Sequence, residues 1–207
     1  FLKSGLATDG ECPSPDLQLH FVNAMMFDHG RGKASGDGVT LHACQLRPES
    51  RGYVTLASDD PFEAPRIDPG YLATQKDKDT LRAGLKLARE IMSQGAFAPY
   101  LGRELSPGWD VVSDSDLDAC IRRRAETIYH PVGSCRMGGD EGAVVDEQLR
   151  VRGAEGVRVV DASVMPAQVS GNTHAPTVMI AEKAADMILG HAPLKAAHSG
   201  GGCAAGR

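Results

Sequence analysis

Several things are scarce in this 207-residue sequence, beginning with aromatic side chains: one Trp, four Tyr and five Phe. So thin a supply leaves no evident set of rings for an aromatic cage around a quaternary ammonium. No apolar run approaches the roughly 18 residues a membrane helix needs. The opening Phe1-Leu2-Lys3-Ser4-Gly5 lacks a charged leader followed by a hydrophobic core. Long basic tracts are missing too, and the net charge is -5, which gives neither nucleic acid nor an anionic membrane an electrostatic reason to bind. Five cysteines, Cys12, Cys44, Cys120, Cys135 and Cys203, form no C-x-x-C pair and are odd in number, which argues against a disulfide framework and a structural zinc site. A reducing cytoplasm is the expected compartment, and a small uncharged molecule the expected partner.

The residues present read as a globular α+β chain. Polar and apolar residues alternate over 16–22, 39–44 and 53–56, predicting strands of an antiparallel sheet. Between the first two lies a glycine- and charge-rich loop, 28–38. Residues 77–94 place Leu81, Leu85, Ala88 and Met92 on one helical face, and Gly95 is a plausible stop. A second helix is expected from Ser113, with Asp116 in a variant capping box, apolar Leu117, Ile121 and Ile128, and Arg122-Arg123-Arg124 on a solvated face. Val157-Arg158-Val159-Val160-Asp161 reads as a short buried strand of an α/β sheet. Pro176–Leu189 reads as a helix that stops at Gly190, followed by a mobile tail from 191 to 207.

Two segments carry chemistry. Tyr129-His130-Pro131-Val132-Gly133-Ser134-Cys135-Arg136-Met137-Gly138-Gly139 is a proline-stiffened loop that fixes a histidine, and a rigidly held imidazole can take and return protons near neutrality. A packed or capping histidine is the competing reading, and Ser134 and Cys135 are alternative nucleophiles. His130 with Cys135 lacks a second ligand pair for a metal. Ser170-Gly171-Asn172-Thr173-His174-Ala175-Pro176-Thr177 leads into the last helix, whose free N–H groups favour negative charge, although Asn172 or Thr173 could be simple caps.

These two segments, with Val144-Val145-Asp146, Leu149-Arg150-Val151, 157–166 and Ile180-Ala181-Glu182-Lys183-Ala184-Ala185-Asp186, resemble in order and spacing the C-terminal signature of the glucose-methanol-choline (GMC) oxidoreductases. Arg47-Pro48-Glu49-Ser50-Arg51-Gly52 and Pro65-Arg66-Ile67-Asp68-Pro69 resemble substrate-domain runs of that family. The resemblance covers Phe1 to about Gly190. It implies FAD as cofactor and an alcohol as substrate, with His130 at the family's active-site histidine. His174 stands at its second active-site position, where many members have Asn. Asp161 and Ala162 match the position near the ribityl-phosphate part of FAD, and Asn172, Thr173 and Thr177 the passage beside the flavin pyrimidine.

On this reading His130 is the base for a primary alcohol, His174 orients the substrate oxygen, and hydride goes to flavin N5 to give an aldehyde. The strands between Pro15 and Leu56 look most like those of bacterial dehydrogenases acting on aliphatic or choline-like alcohols. A hydroxynitrile lyase of the same fold and a non-catalytic fragment are the alternatives. The family's G-x-G-x-x-G is absent, so the chain is expected to be the C-terminal part of a longer enzyme, with an N-terminal FAD-binding portion as its partner. Residues 1–128 are then a partial substrate-binding domain. Residues 129–190 are an active-site loop with the last strand and helix of a Rossmann-like FAD-binding domain.

Overall fold

The structure, a computed structural model, describes residues 1–6, 14–32 and 35–194. Alternation at the start of the chain becomes an antiparallel hairpin of β1 (Leu17–Val22) and β2 (Thr40–Gln45), in which His20 faces His42 and Gln18 faces Cys44. Leu2 pairs with Leu17 beside it as an isolated bridge. A second hairpin, β3 (Tyr53–Thr55) with β4 (Arg66–Asp68), stands apart as its own two-stranded sheet. The expected antiparallel pairing is thus present, although in two sheets, and β4 was not foreseen.

Helix α1 (Gln75–Met92) starts where the Thr74 hydroxyl accepts from the Asp77 N–H. It lies across β2 and β1, and close approach is possible because position 84 is glycine. A Cβ there would come within 3.0 Å of both Ala43 Cβ and Leu17 Cδ2. The periodicity pointed to Leu81, Leu85, Ala88 and Met92. The residues most fully covered are Asp77, Thr80, Gly84 and Ala88, because tight backbone packing favours small side chains over large ones.

Helix α2 (Asp114–Arg124) is capped by Ser113, which accepts from Asp116 N at 3.2 Å and donates to Asp116 Oδ2 at 2.6 Å. Leu117 and Cys120 are its buried face, and Arg122, Arg123 and Arg124 are exposed as expected. The helix ends before Ile128. Ion pairs join α2 to α1: Arg82 to Asp118 at 2.6 Å and Lys86 to Asp114 at 2.6 Å. Arg89 anchors the loop between them through Glu104 and the carbonyls of Gly108 and Val111.

The expected strand at 157–161 does not form. Its main chain is bonded to another segment only at residues 149–151, through Val159 N to Leu149 O at 3.1 Å and Val151 N to Val157 O at 3.0 Å, and Val157 is half exposed. A buried α/β strand needs a neighbour along each edge, and among the described residues this segment has only the isolated bridge Arg150↔Arg158 on one. The short helical turn Ala162–Val164 follows, and α3 (His174–Leu189) begins two residues earlier than expected and ends on left-handed Gly190. Val145, Leu149, Val164 and Ala184 form the core that fastens 137–165 to α3. Of the tail, 195–207 lies outside the described residues, as do Lys33 and Ala34 in the loop between β1 and β2.

One buried carboxylate sets the seat of α1. Asp77, 2% exposed, accepts from Gln45 Nε2 at 2.6 Å, Glu49 N at 2.9 Å, Ser50 N at 2.8 Å and the Ser50 hydroxyl. Burial works to raise its pKa, and these donors outweigh that and hold it below the ordinary carboxylate value of 3.8. A depressed folded pKa contributes stability that is present above the unfolded value and is lost as pH falls through the folded one. Asp77→Ala should therefore lower stability by about 3 kcal/mol at pH 7, and urea titrations at pH 7 and pH 3 should show the deficit shrinking in acid.

Candidate active site

His130 is aimed by a strained turn. Tyr129 before it holds φ +65°, a left-handed conformation uncommon outside glycine, with its N–H on Thr127 Oγ1 at 3.0 Å. Downstream, the loop is pinned by backbone bonds from Cys135 N to Ser163 O at 3.0 Å and Met137 N to Val164 O at 2.9 Å. Arg136 is held at Asp140 by paired bonds of 2.5 and 2.9 Å, and the guanidinium keeps that carboxyl well below the usual carboxylate range.

The ring of His130 is held on both nitrogens by the segment that enters α3. Nδ1 is 3.0 Å from Thr173 Oγ1, and Nε2 is 3.1 Å from Asn172 Nδ2. The Asn172 amide is turned by its other end, where Oδ1 lies 3.5 Å from Gln18 Nε2. In this orientation the amide nitrogen can only donate, which assigns Nε2 as the acceptor and the proton to Nδ1, facing Thr173. The main chain is held as well, through Gln168 Nε2 to His130 O at 3.1 Å. Ser170, at φ +60°, is the second left-handed residue beside the site.

Beside the ring is a narrow cleft lined by Gln18, His20, Cys44, Gln168 and Asn172 among others. Three of these come from the β1–β2 hairpin, on the face that His20↔His42 and Gln18↔Cys44 share. Burial first, and then the neighbouring rings of His42 and His130, hold the His20 pKa below its ordinary 6.5, so this ring is neutral near pH 7. Burial also pushes the Cys44 thiol up.

The structure brings together three of the sequence-predicted site residues: His130, Asn172 and Thr173. His174 is the exposed first residue of α3 and does not line the cleft. Thr177 donates its hydroxyl to Thr173 O at 2.7 Å. Asp161 is exposed and accepts from Ser163 N at 2.7 Å and its hydroxyl at 2.5 Å, and Ala162 starts the short turn that follows. Gln18, His20, Cys44 and Gln168 were missed. Polar residues at 18, 20, 42 and 44 do repeat with period two, which is the signal for one common strand face.

Comparison with known proteins places the histidine loop and the helix head within one family. The family model for GMC oxidoreductases covers residues 48–181. An alcohol dehydrogenase [acceptor] of Pseudomonas putida is 50% identical over 196 residues, covering 91% of this chain and 36% of that protein. The mitochondrial choline dehydrogenase of Mus musculus is 48% identical, covering 88% and 31%. Among solved structures, pyridoxine 4-oxidase from Mesorbium loti is similar with a TM-score of 0.77 and 33% identity, over 87% of this chain and 36% of that one. A formate oxidase of Aspergillus oryzae RIB40, studied for its FAD modification, gives 0.78 and 30% over 85% and 32%. This chain belongs to the GMC oxidoreductase family, and it spans about a third of the length of the relatives it matches.

The tautomer is open to direct measurement. Nitrogen-15 spectra of labelled histidine should place His130 Nε2 at a bare, pyridine-like shift and Nδ1 at a protonated one near pH 8. Thr173→Val removes the acceptor and should shift the ring toward the other tautomer.

Proposed function

We propose that this chain is the C-terminal part of an FAD-dependent oxidoreductase that oxidises a primary alcohol to the aldehyde, with His130 as the base. The carrying observation is the ring itself: Nδ1–H is tied to Thr173 and the Nε2 lone pair is turned toward Asn172 at the edge of a cleft. A neutral imidazole in that tautomer is ready to take a hydroxyl proton at Nε2, and a base so placed contributes about 10²–10⁴-fold. The alcohol oxygen would replace the Asn172 amide at Nε2, leaving that amide to donate to the oxygen.

The residues present fit a flavin at the head of α3. No side chain caps that helix, so its first-turn N–H groups remain available to an electron-rich ring edge, and Val178 and Met179 on its next turn are exposed and apolar. Asn172, Thr173 and Thr177 are the residues that would lie along the pyrimidine, and Asp161 and Ala162 those toward the ribityl-phosphate part. Bound there, FAD supplies the acceptor for the hydride released from the alcohol carbon. His174, exposed at the same helix head, would orient the substrate oxygen, and once protonated either imidazole would stabilise negative charge nearby.

Two further observations support an FAD-binding portion as the missing partner. The chain spans about a third of its relatives, and Val178, Met179, Ile188 and Leu189 leave α3 apolar on faces that nothing covers among the described residues. A plain aliphatic alcohol suits the low aromatic content better than a quaternary ammonium, and we read the enzyme as a dehydrogenase.

Anaerobic mixing of the full-length, flavin-loaded protein with a panel of primary alcohols tests the reading. Flavin absorbance should bleach, and His130→Ala should slow the bleaching by about 10²–10⁴-fold while FAD stays bound. Turnover of a cyanohydrin without bleaching would point to a lyase instead.

A further inference from the structure

Two buried polar atoms beside His130 have no hydrogen-bond partner: His20 Nε2 and Gln168 Oε1. Their residues line the same cleft as His130 and Asn172, one from β1 and one from the segment before α3. The orientation of the Gln168 amide follows from its other end, since Nε2 donates to His130 O at 3.1 Å. Turning the amide over would set two oxygens against each other, so the unfilled atom is an acceptor. His20 is kept neutral by burial and by its neighbours His42 and His130, and a neutral ring can present N–H at Nε2. An acceptor and a donor left buried and unpaired are costly, and each pulls toward a group that satisfies it. The cleft that both residues line is narrow, with room for a group about the size of one water.

We propose that His20 and Gln168 together form a binding position for one hydroxyl oxygen beside His130, with Gln168 Oε1 accepting the O–H and His20 Nε2–H donating to the oxygen. The proposal rests on the reading of His130 as the base for an alcohol and names which residues hold that alcohol, or a water that hands its proton on. Neither role needs a charged side chain, in keeping with an uncharged substrate. Asn172 closes the position from the α3 side, so the oxygen is gripped from both the hairpin and the helix head.

The test uses the full-length, flavin-loaded protein with His20→Ala, Gln168→Met, the double variant and His20→Gln, which restores an N–H at similar reach. Binding is read from the flavin difference spectrum on titration with a tertiary alcohol that cannot be oxidised, and with its methyl ether, which lacks the O–H. If the substrate hydroxyl is the occupant, the alcohol binds more tightly than the ether. Each single variant then weakens alcohol binding about tenfold, the double variant weakens it hardly further, and His20→Gln recovers most of the loss. With a retained water as occupant, alcohol and ether bind alike, and the same non-additive pattern shows in the rate of flavin reduction by a primary alcohol instead. Strictly additive effects, or no effect of either single variant on binding and reduction while His130→Ala still blocks reduction, would overturn the proposal. If His130→Ala leaves reduction intact, the base assignment falls, and the tertiary-alcohol titrations still decide whether the oxygen position exists.

Discussion

The ring of His130 is clasped by two residues that follow it by 42 and 43 positions, and that clasp ties the site together. Thr173 accepts from Nδ1–H and Asn172 donates to Nε2, so one short stretch fixes both the rotation of the ring and its tautomer. Holding the ring this way requires that the loop and the head of α3 be registered to within the reach of a hydrogen bond. The core of Val145, Leu149, Val164 and Ala184 supplies that registration, because it packs the loop's return path directly onto α3. A hydrogen bond contributes only about 1 kcal/mol net, so the apolar contacts, not the clasp, hold the segments in place. The clasp then selects the direction in which the lone pair points.

The other wall of the cleft depends on a different device. The β1–β2 hairpin would be marginal alone, as two-stranded sheets are. It is backed by α1, which Gly84 allows to lie close, and Asp77 locks that helix to the turn after β2 by gathering the donors of Gln45, Glu49 and Ser50. Gln45 belongs to β2, so the carboxylate and the strand that carries His42 and Cys44 are one unit. An acid at the start of a helix usually serves the helix dipole in solvent. Here it is buried and serves the packing of a sheet, and the position of His20 follows from it.

How much of this was legible along the chain depended on whether the signal was local. Ser113 and its partner Asp116, the stop at Gly190, the alternation of β1 and β2, and the proline-stiffened loop around His130 all act within a few residues, and each was readable. Gln18, His20 and Gln168 were not, because what makes them matter is strand register and the fold of 160–172 back onto the hairpin, both long-range. Asp77 reads as one more charge on an amphipathic helix until four donors are seen converging on it. The segment 157–161 shows the opposite failure: Val157, Val159 and Val160 have the composition of a buried strand, but a strand exists only with neighbours, and among the described residues its main chain pairs with just 149–151.

The helix head itself divides the labour. Asn172 and Thr173 turn inward to the histidine, while His174, the next residue, is exposed at the start of α3. Side chains just before a helix and at its first residue leave the chain in different directions, so one helix start can address the His130 ring on one side and a second surface on another. The role proposed for His174 would need the surface it faces to be brought against the substrate by a body packed on α3. The same helix keeps Val178, Met179, Ile188 and Leu189 uncovered. An α-helix that is apolar around so much of its circumference is stable in water only when something packs on it. On the proposed reading, one body covering those side chains would also enclose His174, so that packing α3 and completing the proposed site would be a single step.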